Sequence, residues 1–568
     1  MSGGRMVNQV KRKVQVLIVG GSLGACSAAL SCGRMGVSTV MVTPDQWIGG
    51  QMTSQGVPPD EHPWIDSTGS TASYRAYRQK VRSWYKNNLP LHPKWNLEPR
   101  LNPGGGHVSP LTHDPRIGLT VLEEMILPYC IQGTVEILRG FRPIEVHTSG
   151  DRIREVSFGS FSVQADFVID GTETGELLPL AGVEYRTGAE SKKEFSEPHA
   201  PDLANPQNHQ AISWCAVLGW NPENKKDPVK QPESYNHWKT TVAPFWPGPQ
   251  LSFASVDPFS GQAKTASLFG DGQPGLAGIT TDDLPKLGGL WAYRRIQRPD
   301  LLAQGIPSQD MTVLNWPQMD YWEGTVVDNS QADVHLRRSK ELTLSFIHWL
   351  QTEAPRHDGS NGLGYPEIEL RGDVFGTLDG LAREAYYRES RRIVALTTVS
   401  EMDIGVEARK NTYSNELANQ ATQFEDSVGL ASYRIDLHPS TGGDGYIDIE
   451  SYPAQIPLGA FIPVRMRNLI PGCKNLGTTH LSSGMYRVHP SEWNIGEAAG
   501  ALASYCAVHR LEPRQVKEVS SNLESFQELL HHALGFELDW PPHVKTIPRY
   551  QPQFQWILKE KRQSWKLS

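Results

Sequence analysis

Residues 14–43 read VQVLIVGGSLGACSAALSCGRMGVSTVMVT, and this stretch decides the fold. Residues 14–19 form a short apolar run rich in β-branched side chains, which is typical of a strand buried on both faces of a parallel sheet. Residues 20–24 break the strand, and the small residues that follow suit a helix packed closely on a sheet. Gly36 ends that helix, and residues 37–42 give a second strand. The whole has the length of one βαβ unit and predicts an α/β fold.

The turn between the strand and the helix is the candidate cofactor contact. Such a turn needs small residues, because the backbone must approach a pyrophosphate and the helix start offers free N–H groups. Gly20, Ser22 and Ala25 meet the G-x-G-x-x-G spacing only loosely. Thr43 stands where a ribose-binding acid is expected, and Asp45 is the nearest carboxylate. The turn therefore indicates a dinucleotide, with an ordinary βαβ unit as the alternative.

Two further blocks carry a resemblance to a known family. Residues 49–56, GGQMTSQG, resemble the segment after the second strand in flavoenzymes of the fumarate reductase/glutathione reductase superfamily. Residues 468–500 then hold N-L-I, G-T-T-H, G-M-Y-R-V-H-P and G-E-A-A-G in that order. This order resembles the C-terminal flavin segment of the FAD-dependent oxidoreductase (FAD_oxidored) family. The resemblance covers most of residues 14–510 and implies FAD as the cofactor.

The resemblance implies cofactor contacts from each of these blocks. Asp170-Gly171-Thr172 stands where the family commonly has D-A-T, and a glycine there lets the backbone approach the adenosine. Cys473-Lys474 replaces the family's G-R pair, which is a departure at a phosphate contact. The residues expected to bind FAD are Gly20, Gly21, Ser22, Leu23, Gly24, Ala25, Thr43, Gly49, Gly50, Gln51, Met52, Thr53, Ser54, Asp170, Gly171, Gly477, Arg487, Pro490 and Gly496.

Five residues are candidates for the chemistry. Arg388 lies in Y-Y-R-E-S-R-R-I, which resembles a family segment, and an arginine near a flavin can hold a carboxylate or stabilise developing negative charge. An arginine–glutamate pair that ties two domains together is the alternative for this residue. His62, in a proline-stiffened acidic loop, and His480 are candidate acid/base groups. Asn315 and Tyr321, in a block resembling the family's N-W-P segment, are candidates for hydrogen bonds to substrate.

Length, charge and cysteine usage limit the class of protein. At 568 residues two or three domains are expected, and the net charge of −8 disfavours a nucleic-acid partner. No apolar segment is long enough to span a bilayer. None of the six cysteines forms a C-x-x-C pair, which argues against a disulfide reductase or a zinc site and favours a reducing, cytoplasmic setting. No metal site is predicted, and residues 1–13 are expected to form a disordered leader rather than a secretory signal.

We expect an α/β architecture with a discontinuous, Rossmann-like FAD-binding domain and an inserted α+β substrate domain. The expected boundaries are 1–180 and 441–510 for the two parts of the FAD-binding domain, 181–440 for the substrate domain, and 511–568 for a helical extension. Residues 270–275 also fit the dinucleotide spacing, but no apolar strand precedes them and a proline interrupts them. A second nucleotide domain for NAD(P)H is therefore not expected.

The resemblance implies an oxidoreductase that transfers a hydride between a small organic substrate and FAD. One alternative is an FAD-dependent monooxygenase that uses a flavin hydroperoxide. Another is a binding protein with a flavoprotein fold and no redox turnover. The expected partners are a small-molecule substrate and an electron acceptor, which could be oxygen, a quinone or a carrier protein, with neither nucleic acid nor membrane.

Overall fold

The computed structural model describes residues 10–256, 262–269, 289–356 and 362–549. The strands, numbered in chain order, are β1 (Val10–Val19), β2 (Thr39–Thr43), β3 (Val135–Arg139), β4 (Glu145–Ser149), β5 (Arg152–Ser157), β6 (Phe161–Asp170), β7 (Tyr185–Arg186), β8 (Ala216–Trp220), β9 (Ala254–Val256), β10 (Ala263–Thr265), β11 (Arg295–Gln297), β12 (Asp310–Leu314), β13 (Ile368–Leu370), β14 (Arg392–Ile393), β15 (Ser427–Ala431), β16 (Ile435–Leu437), β17 (Ile447–Ile449), β18 (Ala454–Pro457) and β19 (Leu469–Pro471). The helices are α1 (Leu23–Arg34), α2 (Ala72–Asn88), α3 (Pro93–Leu97), α4 (Pro115–Ile131), α5 (Leu177–Leu180), α6 (Lys192–Phe195), α7 (Tyr235–Thr240), α8 (Leu290–Tyr293), α9 (Ala332–Thr352), α10 (Glu401–Ile404), α11 (Val406–Thr412), α12 (His480–Tyr486), α13 (His489–His509), α14 (Pro513–Glu518), α15 (Ser520–Glu528) and α16 (Pro542–Lys545). Short 3₁₀ turns and a π-helical segment, Leu529–Leu534, complete these elements.

The central sheet has the order β3-β2-β1-β6-β5-β4, and β19 also pairs with β6. The strands β1, β2, β3, β6 and β19 run parallel, as expected for a Rossmann-like fold, whereas β4 and β5 form an antiparallel meander with β6. The register places Val19 beside Val42 and Asp170, and Asp170 beside Pro471. These strands, drawn from both ends of the chain, therefore end at one edge of the sheet, where ligands of such folds bind.

Helices α1 and α13 cover one face of this sheet at close range. Val16 and Ile18 of β1 join the apolar cluster that contains both helices. The helices cross through glycines, because a Cβ on Gly496 would lie 2.0 Å from the carbonyl oxygen of Gly24 and one on Gly500 would lie 2.4 Å from that of Ala28. The G-E-A-A-G block thus serves helix packing.

A second layer is built on the antiparallel sheet β11-β12-β8-β13. It has its own apolar cluster, in which Val217 and Val313 of the sheet pack with Phe346 of the long helix α9. Residues 381–393, which we call the inserted segment, run from this layer back to the central sheet. Tyr386 of this segment pairs with Ser213 of the second layer. The amide of Arg383 donates a hydrogen bond to the carbonyl oxygen of Ser54 (2.9 Å), which ties the segment to the part of the chain around the central sheet.

The first strand begins earlier than the apolar run in the sequence predicts. The prediction of a disordered leader is wrong for residues 10–13, because they extend β1 and pair with the start of β6, Val10 beside Phe161. Most of these side chains are exposed, so hydropathy carries no strand signal there. The second glycine motif, 270–275, and residues 550–568 lie outside the described residues. No helix in the described part is long and apolar enough to cross a membrane.

Candidate functional site

A cavity opens at the carboxyl edge of the central sheet, and we call it the turn cavity. Gly20, Gly21 and Ser22 line it from the turn after β1, and Thr43 lines it from the end of β2. Thr172 contributes from the turn after β6. Four of the residues predicted to bind FAD thus share one cavity at the edge where the parallel strands end.

The turn after β1 requires glycine at its first position, Gly20. Gly20 has φ 116°, and a Cβ there would lie 2.1 Å from the carbonyl oxygen of Gly171. Ser22 caps α1, since its Oγ accepts a hydrogen bond from the amide of Ala25 (3.1 Å). The amide of Gly24 donates to Oε1 of Glu492 (3.0 Å). The start of α1 therefore already attracts one anionic group, as its dipole predicts.

The predicted segment after β2 forms a tight turn beside α1. Gly49 and Gly50 both have positive φ, and a Cβ on Gly50 would lie 2.3 Å from Oε1 of Glu173. Gln51 donates from Nε2 to Oε2 of Glu492 (2.5 Å) and to the carbonyl oxygen of Arg487 (3.2 Å). This turn thus links α1 to the junction between α12 and α13.

A second cavity lies beyond this turn, and we call it the arginine cavity. Its polar wall brings together Arg388 from the inserted segment, Lys474 from the loop after β19 and Arg487 from the end of α12. Glu389 and Ser390 line the same wall. The two arginines predicted from distant blocks of sequence therefore meet at one site.

Arg388 is held rigidly by a buried carboxylate. Its Nη2 lies 2.9 Å from Oδ1 of Asp320, and it also donates to Ser213 Oγ (3.1 Å) and Asn315 Oδ1 (3.5 Å). Asp320 also bonds His438 (2.7 Å). Burial alone raises the pKa of Asp320, but Arg388 and His438 outweigh it and hold that pKa below its usual range. The predicted Asn315 thus supports Arg388 directly.

Arg487 is held in a similar way on the opposite side. It donates from Nη1 to the hydroxyl of Tyr386 (3.1 Å) and from Nη2 to the carbonyl oxygen of Asp436 (2.8 Å). Within the described residues Nε of Arg487, Nε of Arg388 and Oγ of Ser390 are buried without a hydrogen-bond partner. Buried donors of this kind need an acceptor. The carbonyl oxygens and ring nitrogens of a flavin would supply acceptors, so these residues fit that group.

His480 stands behind the arginine cavity. Its Nδ1 lies 2.8 Å from Oε1 of Glu389, which also pairs with Arg392 (2.5 Å). Burial raises the pKa of Glu389, but the adjacent His480 and Arg392 outweigh it and hold it well below its usual range. For His480, burial lowers the pKa, but the Glu389 carboxylate outweighs it and raises that pKa. His480 is therefore the member of this pair that gains or loses a proton, and the Glu389 carboxylate stays ionised.

An ion pair marks the boundary between the two cavities. Lys474 Nζ pairs with Glu173, which lines the turn cavity, and lies 3.2 Å from Oε2 of Glu492. Burial and the Glu492 charge raise the pKa of Glu173. Lys474 thus places a cation where the family's arginine was expected, beside the start of α1.

The structure places two of the predicted chemical residues elsewhere. His62 donates a hydrogen bond from Nε2 to the carbonyl oxygen of Gly69 (3.1 Å) and packs on Trp540, and it lines neither cavity. Burial and Arg549 lower the pKa of His62 to about 3, so it is neutral at pH 7. Tyr321 bonds Nδ1 of His335 (2.8 Å) in the second layer, also away from both cavities.

The other predicted cofactor residues shape the backbone around the cavities. Asp170 accepts hydrogen bonds from the amide (3.0 Å) and hydroxyl (2.6 Å) of Thr172, and burial raises its pKa to about 6. Ser54 donates to Glu384 (3.2 Å). The remaining members pack the turns and helix starts at this edge: Leu23, Ala25, Met52, Thr53, Gly171, Gly477 and Pro490.

Sequence reasoning missed the carboxylates of the site. Glu173, Glu384 and Glu492 belong to no motif quoted for the family, and Asp320 stands in the N-W-P block without being singled out. The one feature that these four residues share in the sequence is that each lies close to a predicted contact. That signal is too common among surface residues to identify a buried group.

The geometry agrees with the comparisons to known proteins. The family model of the FAD dependent oxidoreductases matches residues 15–530, and the chain belongs to this family. FAD is accordingly its cofactor. Among curated proteins no relative reaches the level of a match.

Solved structures give distant likenesses. L-proline dehydrogenase from P. horikoshii is 12% identical, with a TM-score of 0.24, over 39% of this chain and 63% of that chain. CabE, an aromatic hydroxylase from angucycline biosynthesis, is 14% identical, with a TM-score of 0.23, over 41% and 40%. L-amino acid deaminase from Proteus vulgaris is 12% identical, with a TM-score of 0.22, over 38% and 56%. The chain spans less than two thirds of the length of each.

Proposed function

We propose that this protein transfers a hydride between a small organic substrate and FAD, with the flavin ring at the arginine cavity. FAD, when bound, supplies the two-electron chemistry. The observation that carries the proposal is the pair of buried arginines, Arg388 and Arg487, whose Nε donors are both free within the described residues. Such fixed donors suit a group that gains negative charge during the reaction.

Each arginine is prepared for this role by its own carboxylate. Asp320 fixes Arg388, and Asp436 fixes Arg487 (3.3 Å), so neither guanidinium has to reorganise when charge develops. Helix α13 begins directly after Arg487, and the positive end of its dipole adds to the same wall. A substrate carboxylate would be held at this wall by charge-assisted hydrogen bonds.

In this proposal the His480–Glu389 pair carries out the proton transfer. Glu389 lines the arginine cavity, and Nδ1 of His480 donates a hydrogen bond to its carboxylate. His62 is less suited to the role, because it lines neither cavity and burial lowers its pKa to about 3, which makes it a weak base. The neutral imidazole of His480 would take the proton that the substrate releases when the hydride leaves, and the Glu389 carboxylate would stabilise the imidazolium that forms.

The test is anaerobic mixing of the purified holoprotein with pools of candidate metabolites while the flavin absorbance is recorded. Bleaching by one pool, lost in Arg388→Lys and kept in Arg142→Lys, is the expected result. Arg142 is the matched control, because it lines the turn cavity with a largely exposed side chain.

Other outcomes decide against the proposal. Bleaching only after NAD(P)H is added, stimulated by a substrate, would replace hydride transfer from substrate with monooxygenation. A bound flavin that no reductant bleaches would favour a binding protein without turnover.

A further inference from the structure

The end of β2 offers no free carboxylate to a ribose. Thr43 packs beneath the turn, since a Cβ on Gly21 would lie 2.2 Å from its Oγ1. Asp45 is already engaged, because its Oδ1 accepts from the amide of Trp47 (2.7 Å) and from Nε of Arg383 (2.6 Å). Dinucleotide-binding folds place an acid here to bind the ribose hydroxyls. In this chain that contact has to come from another element.

Three carboxylates line the turn cavity, and two of them are committed to cations. Glu173 pairs with Lys474, and Glu176 pairs with Arg142 (3.1 Å). Glu384 has no ion-pair partner in the described residues. Its Oε2 accepts a hydrogen bond from Ser54 Oγ (3.2 Å), and no described group donates to its Oε1.

We infer that Glu384, from the inserted segment, accepts hydrogen bonds from the hydroxyl groups of the adenosine ribose of FAD. Glu384 lines the same cavity as Thr43, so it reaches the region that the missing acid would serve. A ribose hydroxyl is neutral, and a carboxylate with a free oxygen is a strong acceptor for it. Trp47 and Tyr387 line the cavity beside Glu384 and supply aromatic walls for the base.

Glu384 belongs to a segment that lines both cavities. Glu384 and Tyr387 line the turn cavity, whereas Arg388 and Ser390, in the same segment, line the arginine cavity. One inserted segment therefore contacts both ends of the cofactor. Binding of the adenosine by Glu384 would fix the segment that carries Arg388.

The experiment is a titration of apoprotein, prepared by removing FAD from the purified protein, with flavin fluorescence as the readout. Glu384→Gln should weaken FAD binding about tenfold, because a charged acceptor becomes a neutral one. The same titration uses an FAD analogue whose adenosine is 2′,3′-dideoxyadenosine. The variant and the native protein should bind that analogue equally well. Glu194→Gln is the matched control and should leave the FAD affinity unchanged, because this carboxylate pairs with Arg186 (3.0 Å) and lines neither cavity.

Two results would overturn the inference. One is equal FAD affinity in Glu384→Gln and the native protein. The other is an equal loss for FAD and for the dideoxy analogue, which would mean that Glu384 acts through the fold rather than through the ribose. If Glu384→Gln does not fold, Glu384→Asp replaces it, with a smaller loss expected for FAD and none for the analogue.

Discussion

The two cavities differ in the sign of their charge. The turn cavity has mostly acidic walls, and the arginine cavity has mostly basic ones. This division matches the two ends of one dinucleotide, because a ribose offers hydroxyl donors whereas a flavin gains negative charge when reduced. The charged residues are Glu173, Glu176 and Glu384 with Arg142 in the first cavity, and Arg388, Lys474 and Arg487 with Glu389 in the second.

The boundary between the cavities shows how the division is maintained. Lys474 and Glu173 pair across it, and Glu492 joins them from α13. Glu173 lines the turn cavity, which we assign to the adenosine, and Lys474 lines the arginine cavity, which we assign to the flavin. A pyrophosphate at the start of α1 would therefore find one cation between two carboxylates.

The largest effect is expected from the arginines of the flavin end. Arg388→Lys and Arg487→Lys keep the charge but remove the Nε donor, so flavin reduction by substrate should slow by ~10²- to 10³-fold. Stopped-flow absorbance of the holoprotein measures this. Arg142→Lys in the turn cavity is the control, and a similar slowing there would remove the distinction between the cavities.

A somewhat smaller effect is expected at the boundary. Lys474→Met would leave the buried carboxylates of Glu173 and Glu492 without their cation, so FAD affinity should fall by ~100-fold. Titration of apoprotein with FAD measures it. The double variant Lys474→Met/Glu173→Gln should recover part of the loss, and a further loss in the double variant would contradict the charge argument.

The pH dependence of the flavin end should move in a defined direction. Glu389 raises the pKa of His480, so Glu389→Gln removes that cause and leaves burial, which lowers it. The His480-dependent limb of the rate profile should therefore shift to lower pH. Flavin reduction measured from pH 5 to pH 9 tests this. An unchanged limb, or a shift to higher pH, would exclude His480 as the titrating group.

The smallest effect concerns the backbone of the turn cavity. Thr172→Val removes the hydroxyl that donates to Asp170 (2.6 Å) and accepts from the amide of Glu176 (2.7 Å). The free energy of unfolding should fall by about 2 kcal/mol, measured by denaturant titration. Thr174→Val is the control, because no hydrogen bond to its hydroxyl is formed by the described residues. Equal losses in both variants would mean that the bonds to Asp170 contribute nothing specific.

The fold was largely predictable from the sequence. Residues 16–19 and the strand at Leu469–Ile470 are fully buried, so their hydropathy alone marks them as parallel strands. The glycines were predictable too, because Gly20 and Gly496 lie where a Cβ would clash with backbone. The polar start of β1 was missed, since exposed side chains leave no pattern.

The site was predictable where it follows a motif and not where it depends on the inserted segment. Arg388 and Arg487 meet at one cavity although long stretches of chain separate them. Glu384 and Glu173 gave no signal, because a carboxylate in sequence shows neither its burial nor its partner. His62 follows two acids in the sequence and was predicted as an acid/base group, yet its loop turns the ring towards Trp64 and Trp540.

The reduction potential of the bound flavin tests the central claim most directly. If the arginine cavity holds the flavin, the free Nε donors of Arg388 and Arg487 favour the reduced, negatively charged form, and the potential of the native holoprotein should lie above that of free FAD. The potential should fall in Arg487→Lys and stay at the native value in Arg142→Lys. A potential that is the same in all three proteins, or one that moves only in Arg142→Lys, would contradict the assignment of the two cavities.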